Sequence, residues 1–232
     1  MTHILHIDSS ARAGVRGQVA HGSYSRALSA RFVAQWLQQA GGHTHITYRD
    51  VGATPPTPVT QDWIAAAFTP RERRSAQLQS ALTESDRLIA ELRAADVLVI
   101  GAPMYNFGAP APLKAWIDNI VRIRETFDFY PERDDPYEPV LADKPRSVVI
   151  LSARGGSELN PGERYASLNH LEPQVFTALD LLGIRDTHSI AIEYEEFGGD
   201  RLQQSIHQAN AAVDALAKKL AQQYTQEVCA VA

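Results

Sequence analysis

The chain has 232 residues, 44% of them hydrophobic, which is enough to bury a substantial core in one large domain or two small ones. Its formal net charge is -5, and no Lys/Arg stripe appears, which argues against nucleic acid or an anionic membrane as a partner. One cysteine, Cys229, lies three residues from the C-terminus; a single cysteine excludes an intrachain disulfide and a multi-thiolate metal site.

The start, H-I-L-H-I-D, enters a strand pattern directly, so no signal peptide is expected; no apolar run reaches the length of a membrane span. These features predict a cytoplasmic protein. The first strand is His3 to Asp8, with Ile4, Leu5 and Ile7 as core candidates. A polar, glycine-containing stretch, Ala11 to Gly22, leads to a helix that Ser23 or Ser25 can N-cap. Leu28, Phe32, Val33, Trp36 and Leu37 are expected on its buried face, and Gly41-Gly42 at its end. A weaker strand follows at His45 to Asp50. Val51 to Pro70 carries Pro55, Pro56, Pro58 and Pro70 and reads as irregular around a short helix, Gln61 to Phe68. Ser75 to Ala94 reads as one long helix burying Leu78, Leu82, Ile89 and Leu92.

The rest of the chain is arranged around Asp96 to Asp118, D-V-L-V-I-G-A-P-M-Y-N-F-G-A-P-A-P-L-K-A-W-I-D. Val97 to Ile100 is a short unbroken apolar run, the signature of a strand buried on both faces of a parallel sheet. A helix follows at Leu113 to Val121. The loop between them places Met104, Tyr105, Asn106 and Phe107 at a strand's carboxyl end, where loops are usually polar and where open α/β sheets bind ligands. The two rings either cap the core or cover a flat ligand. Thr126 to Val140 alternates aromatic and polar residues among prolines and reads as an edge hairpin or flap. Ser147 to Ser152 is another apolar strand, ending in Ala153-Arg154-Gly155-Gly156. A helix at about Gln174 to Leu182 and a strand at Asp186 to Ile192 come next. A final helix, Arg201 to about Gln223, turns Leu202, Ile206, Val213, Leu216 and Leu220 inward. Five strands alternating with helices, without a linker, predict one doubly wound α/β domain over residues 1–232, with a flap at about 126–140. The expected parallel sheet has helices on both faces and the flavodoxin-like order 2-1-3-4-5.

Three loops meet at the carboxyl edge of such a sheet. The first loop ends with the hydroxyls of Ser23 and Ser25 at a helix start, whose outward N–H groups suit a phosphate, whereas Ser10 reads as a turn former. Met104 to Phe107 offers a flat apolar surface with an amide. Gly155-Gly156 lets a backbone approach a ring closely, and Arg154 is either a surface charge or a counterion to developing negative charge. Each serine taken singly reads as a cap or a turn former. Together the three loops describe an FMN site. No G-x-G-x-x-G follows any strand, so a nicotinamide would visit rather than stay. His43 and His45 lack a carboxylate or cysteine at matching spacing and read as surface histidines, with no metal expected. Glu193, Glu195 and Glu196 read as a solvated acidic cluster at the same edge.

A-P-M-Y-N-F at Ala102 to Phe107, followed by L-K-x-W-I-D at Leu113 to Asp118, resembles the FMN-dependent NADH azoreductases of the flavodoxin-like NAD(P)H quinone reductase family. H-I-D-S-S, the S-x-S at Ser23 to Ser25, S-A-R-G-G at Ser152 to Gly156 and the lead-in E-L-R-A-A-D-V-L-V-I agree with that family in order and spacing. The resemblance implies that Ser10, Ser23, Tyr24 and Ser25 hold the FMN phosphate and ribityl. It implies that Met104, Tyr105, Asn106 and Phe107 line the isoalloxazine, and that Ala153, Arg154, Gly155 and Gly156 lie along its polar edge. It further implies a homodimer in which Phe129 covers the flavin from the partner chain. The implied reaction is ping-pong hydride transfer from NADH or NADPH through FMN N5 to a quinone or azo acceptor, with no catalytic side chain assigned. The alternative is a flavodoxin-like electron carrier or a regulatory flavin-binding module. Two departures stand out: Ala11 to Gly22 is longer than the family's tight loop and carries Arg12, Arg16 and His21, and Ala153 replaces a more usual serine.

Overall fold

The computed structural model describes residues 1–40 and 42–231, with side chains described through Thr225. Gly41 of the expected helix stop and the side chain of Cys229 lie outside the described residues. In chain order the elements are β1 (Thr2–Asp8), α1 (Tyr24–Ala40), β2 (Thr44–Asp50), α2 (Gln61–Phe68), α3 (Ala76–Ala81), α4 (Thr83–Ala94) and β3 (Val97–Pro103). They continue with α5 (Ala111–Ile120), β4 (Phe127–Phe129), β5 (Tyr137–Pro139), β6 (Ser147–Ala153), α6 (Glu172–Leu181), β7 (Asp186–Ile192) and α7 (Gly199–Val231).

The main sheet has five parallel strands in the order β2-β1-β3-β6-β7. The hairpin strands β4 and β5 take two numbers, so the main strands follow the expected order of second, first, third, fourth, fifth. Every residue of β3 and β6 is buried. Alternation along the strands divides the core in two. Leu5, Ile7, Leu98, Ile100, Val148 and Ile150 face α4, α5 and α6. Ile4, Val97, Val99, Val149 and Leu151 face α1 and α7. Gly101 lets α1 approach β3: a Cβ there would stand 2.2 Å from Asp8 Oδ1 and 3.2 Å from the Ser25 carbonyl. Phe129 pairs with Tyr137 across the β4–β5 hairpin.

Three expectations are corrected. Leu37 is 41% exposed. It lies about 180° around the helix from Leu28, whereas Phe32 and Trp36 lie within about 80° and are buried. The expected helix over Ser75 to Ala94 is two helices. Leu82 ends α3 at φ -98°, ψ -4°, and packs with Ala66 and Ala67 in a separate small cluster, which turns the chain between the two axes. Leu78 is only partly buried, and Leu88 takes a core place instead. The last helix is longer than expected at both ends.

Candidate functional site

The first loop is fastened from below. Both the Ser9 N–H and its hydroxyl donate to the Gly101 carbonyl, at 2.9 and 3.0 Å, tying the end of β1 to β3. Arg26, on α1, is 5% exposed. Its guanidinium donates to the Ser10 carbonyl at 2.8 Å, the Arg12 carbonyl at 2.9 Å and both oxygens of Asp50 at 2.7 Å. Burial alone would lower the Arg26 pKa, but the bond to Asp50 and the charges of Asp8 and Asp50 raise it on balance. Burial would likewise raise the Asp50 carboxyl, but Arg26 and the Ala53 N–H hold it below the ordinary range. Tyr48 donates to Asp8 at 3.0 Å, and burial, with Asp8 and Asp50 adding to it, pushes its hydroxyl up, so it stays a donor. None of these partners was foreseen; the signal available was a run of alternating polar residues on β2, a strand too weak to stand out.

Ser23 caps α1, its hydroxyl accepting from the Arg26 N–H at 3.4 Å and lying 3.0 Å from the Ser25 hydroxyl. Ser10, Ser23 and Ser25 are all buried under the Ala11–Gly22 loop, which returns to Ser23 through a bridge from Val15. The N–H groups of Ser10, Tyr24 and Ser25 have no acceptor among the described residues. The Tyr24 ring packs in the core beside α7, with the Arg16 guanidinium 5.1 Å from its centroid, so only its backbone faces the helix start.

The second loop is a tight turn. Tyr105 and Gly108 exchange N–H···O=C bonds at 3.1 and 3.0 Å, and the two residues between them, Asn106 and Phe107, both have positive φ, 48° and 68°. That is the backbone of a type I′ turn. A phenylalanine there is strained, and its ring is 51% exposed. The N–H groups of Asn106 and Phe107 have no acceptor among the described residues. The Tyr105 hydroxyl accepts from the Ala11 N–H at 3.2 Å, which brings the first and second loops together.

The third turn joins the second. Met104, Asn106, Phe107, Gly155 and Gly156 line one cavity of about 460 Å³, shared with Ser157, Leu159, Tyr165, Leu168, Glu196 and Phe197. Leu159, Tyr165, Leu168 and Phe197 were not foreseen, although they carry the same signal as Met104–Phe107: large apolar side chains in loops beyond strand ends. The Gly155 and Gly156 N–H groups have no acceptor among the described residues, and Gly156 has open space where a Cβ would stand. Ala153 ends β6 inside the core, and its carbonyl accepts from the Met104 N–H.

Arg154 is neither a surface charge nor directed at the rim. It is 1% exposed and bonds Glu172 at 2.7 Å, Asn160 at 2.9 Å and Glu193 at 3.3 Å. Its own N–H donates to Ile192. The acidic cluster is not simply solvated either. Burial pushes the Glu193 carboxyl up more than Arg154 pulls it down. Glu195 pairs with Arg12 at 2.5 Å, linking the long first loop to the β7–α7 loop, and Glu196 packs under Gly155. Phe129 is not among the residues lining the cavity; its ring lies 5.3 Å from that of Tyr137 on the hairpin, tilted at 45°. Tyr137 instead borders a larger groove on the other side of the second loop, of about 1120 Å³, between α5 and α6. His43 and His45 are exposed, and no metal-binding group of His, Cys, Asp and Glu occurs among the described residues. Nor is any described helix long and apolar enough to cross a membrane.

A family model described as flavodoxin-like fold matches residues 2–217. Over 221 residues the chain is 43% identical to FMN-dependent NADH:quinone oxidoreductase 2 of Idiomarina loihiensis, covering 95% of this chain and 91% of the relative. It is 40% identical to FMN-dependent NAD(P)H:quinone oxidoreductase 1 of Pseudomonas aeruginosa, covering 94% and 99%. The crystal structure of an FMN-dependent NADH-azoreductase from Bacillus anthracis in complex with FMN superposes with a TM-score of 0.81 at 18% identity, covering 95% of this chain and all of that one, a likeness of fold.

Proposed function

Because the chain belongs to the flavodoxin-like fold family and, within it, to the FMN-dependent NADH:quinone oxidoreductases, we propose that its rim holds FMN and serves hydride transfer from NADH or NADPH to a quinone or an azo compound. The chemistry FMN supplies when bound is a two-electron relay between nicotinamide and acceptor. The observation that carries this reading is the shared cavity of Met104, Asn106 and Phe107 with Gly155 and Gly156, next to the Ala11–Tyr105 bond that draws in the first loop.

The residues present fit that cofactor. N–H groups of Ser10, Tyr24 and Ser25, without acceptors among the described residues, and the Ser23 and Ser25 hydroxyls form an anion cradle at the start of α1. Met104 and Phe107 offer apolar surface for a flat ring. N–H groups of Phe107, Gly155 and Gly156, with no acceptor among the described residues, can meet a ring edge that gathers negative charge on reduction. Arg154 acts behind this edge: by holding Glu172, Glu193 and Asn160 it keeps the third turn in place. Tyr165, Leu168 and Phe197 line the same cavity and exclude water from a stacked substrate.

The chain is read as one domain, residues 1–232, with the β4–β5 hairpin as its flap. The assembly proposed is a homodimer closed over the α5–α6 groove, whose walls include Ala109, Ile117, Val121, Ala178 and Leu181; Phe129 would then reach the partner's flavin. A cytoplasmic location is supported by the single cysteine and by a nicotinamide donor.

Steady-state kinetics test the reaction: FMN-loaded protein with each nicotinamide against a naphthoquinone and an azo dye. Parallel double-reciprocal lines are expected, since donor and acceptor use one cavity in turn. A protein that binds no FMN, or that turns over neither acceptor, overturns the proposal.

A further inference from the structure

A second cavity, of about 480 Å³, lies at the opposite edge of the sheet from the rim. It is bounded by the segment around Arg71 and Arg74, by α4 with Asp86, Ile89, Ala90 and Arg93, and by Arg122 and Glu125 just after α5. α5 begins beside the Met104–Phe107 loop and ends here, so nothing in this cavity belongs to the flavin rim.

Four arginines and two carboxylates line it. The carboxylates are already engaged. Arg122, 2% exposed, pairs with Asp86, lies 3.5 Å from Glu125 and donates to the Ser85 hydroxyl at 2.8 Å. Arg93 donates to the Glu125 carbonyl at 2.6 Å and to its carboxylate at 3.2 Å. What remains is a surplus of cationic donors. Arg74 uses only Nε, on the Ala66 and Thr69 carbonyls at 2.9 and 3.0 Å, leaving its two terminal amino groups without a partner among the described residues. Arg71 makes no side-chain hydrogen bond or ion pair among the described residues. Guanidinium groups converging on one space match a phosphate's oxygens.

We propose that this cavity is a binding site for a phosphate dianion, held by Arg71 and by the two terminal amino groups of Arg74. The excess of two positive charges over the carboxylates matches the ligand's charge. Leu82, Ile89 and Ala90 on the same wall suit a carbon skeleton, and the cavity is much larger than a bare phosphate, which favours a phosphomonoester over the free ion.

Calorimetric titration of the FMN-loaded protein, whose rim is then filled, tests this with inorganic phosphate and with glycerol phosphate at matched ionic strength. Saturable binding is expected, tighter for glycerol phosphate, and weakened about tenfold or more by R71A/R74A but unchanged by R185A on the exposed Arg185–Asp180 pair. Equal affinities would identify free phosphate as the ligand. The single charge reversal R71E, at an exposed position, must abolish binding without altering the unfolding transition. Heats that do not saturate, or binding that both arginine variants leave intact, overturn the proposal.

Discussion

The Tyr105 hydroxyl accepts a hydrogen bond from the Ala11 N–H at 3.2 Å, joining two loops 94 residues apart in the chain. Tyr105 is itself held by its two backbone bonds to Gly108, so it gives the longer first loop a rigid post to lean on. Removing that hydroxyl in Tyr105→Phe should weaken FMN binding about fivefold, the worth of one ordinary hydrogen bond. The thermal transition should hardly move, because the group is exposed. Quenching of flavin fluorescence on titration measures this, and an unchanged affinity would show the link to be idle.

Phe107 sits at φ 68° with half its surface exposed, a conformation that favours glycine. In Phe107→Gly the relief of about 1–2 kcal/mol of backbone strain should roughly offset the added chain entropy of about 0.5–1 kcal/mol. Stability to urea should therefore stay level or rise slightly. Turnover should fall about tenfold or more if Phe107 serves as the proposed apolar surface for the flavin, since that surface is gone. A marked loss of stability with turnover intact would mean that the ring is there for packing.

Asp50 makes the fold of the first loop sensitive to acid. Its folded pKa lies below the ordinary value of about 3.9, because the Arg26 and Ala53 bonds outweigh burial. The stability it contributes is complete above that ordinary value and is lost as pH falls through it towards the folded pKa. Asp50→Asn should therefore cost about 1–3 kcal/mol at neutral pH, discounted for partial exposure. The gap from the parent should close below about pH 4. Urea denaturation across that range reads the difference; a gap independent of pH would remove the ion pair from the explanation.

Glu193 has the opposite sign. Burial raises its folded pKa despite Arg154, so its contribution is complete below the ordinary glutamate value of about 4.3 and is lost as pH rises through the folded pKa. Glu193→Gln should gain on the parent as pH rises from about 4 to 7. Arg154 keeps Glu172 and Asn160 throughout. Parallel stability curves for the two proteins over this range would contradict the assignment.

Much of the architecture was readable in one dimension. Apolar runs such as Val97–Ile100 can be satisfied only by burial on both faces, and the Met104–Phe107 rings are conspicuous because a loop at a strand's end has little reason to carry them. Residue type and spacing alone therefore marked the five strands of the sheet and their order. Burial and partnership were another matter. Arg154 stays open between a surface charge and a counterion until α6 brings Glu172 to within 2.7 Å, and nothing in the sequence marks Arg26 until β2 brings Asp50 against it. Leu82, between two helices, packs with Ala66 and Ala67, a contact no spacing in the sequence marks. The side chains of Tyr165, Leu168 and Phe197 meet Met104 and Phe107 only because their loops return to one edge of the sheet. An isolated sequence position specifies what a side chain can do. Which polar groups lose water, and which partners stand near enough to replace it, depends on segments that only the folded chain brings together.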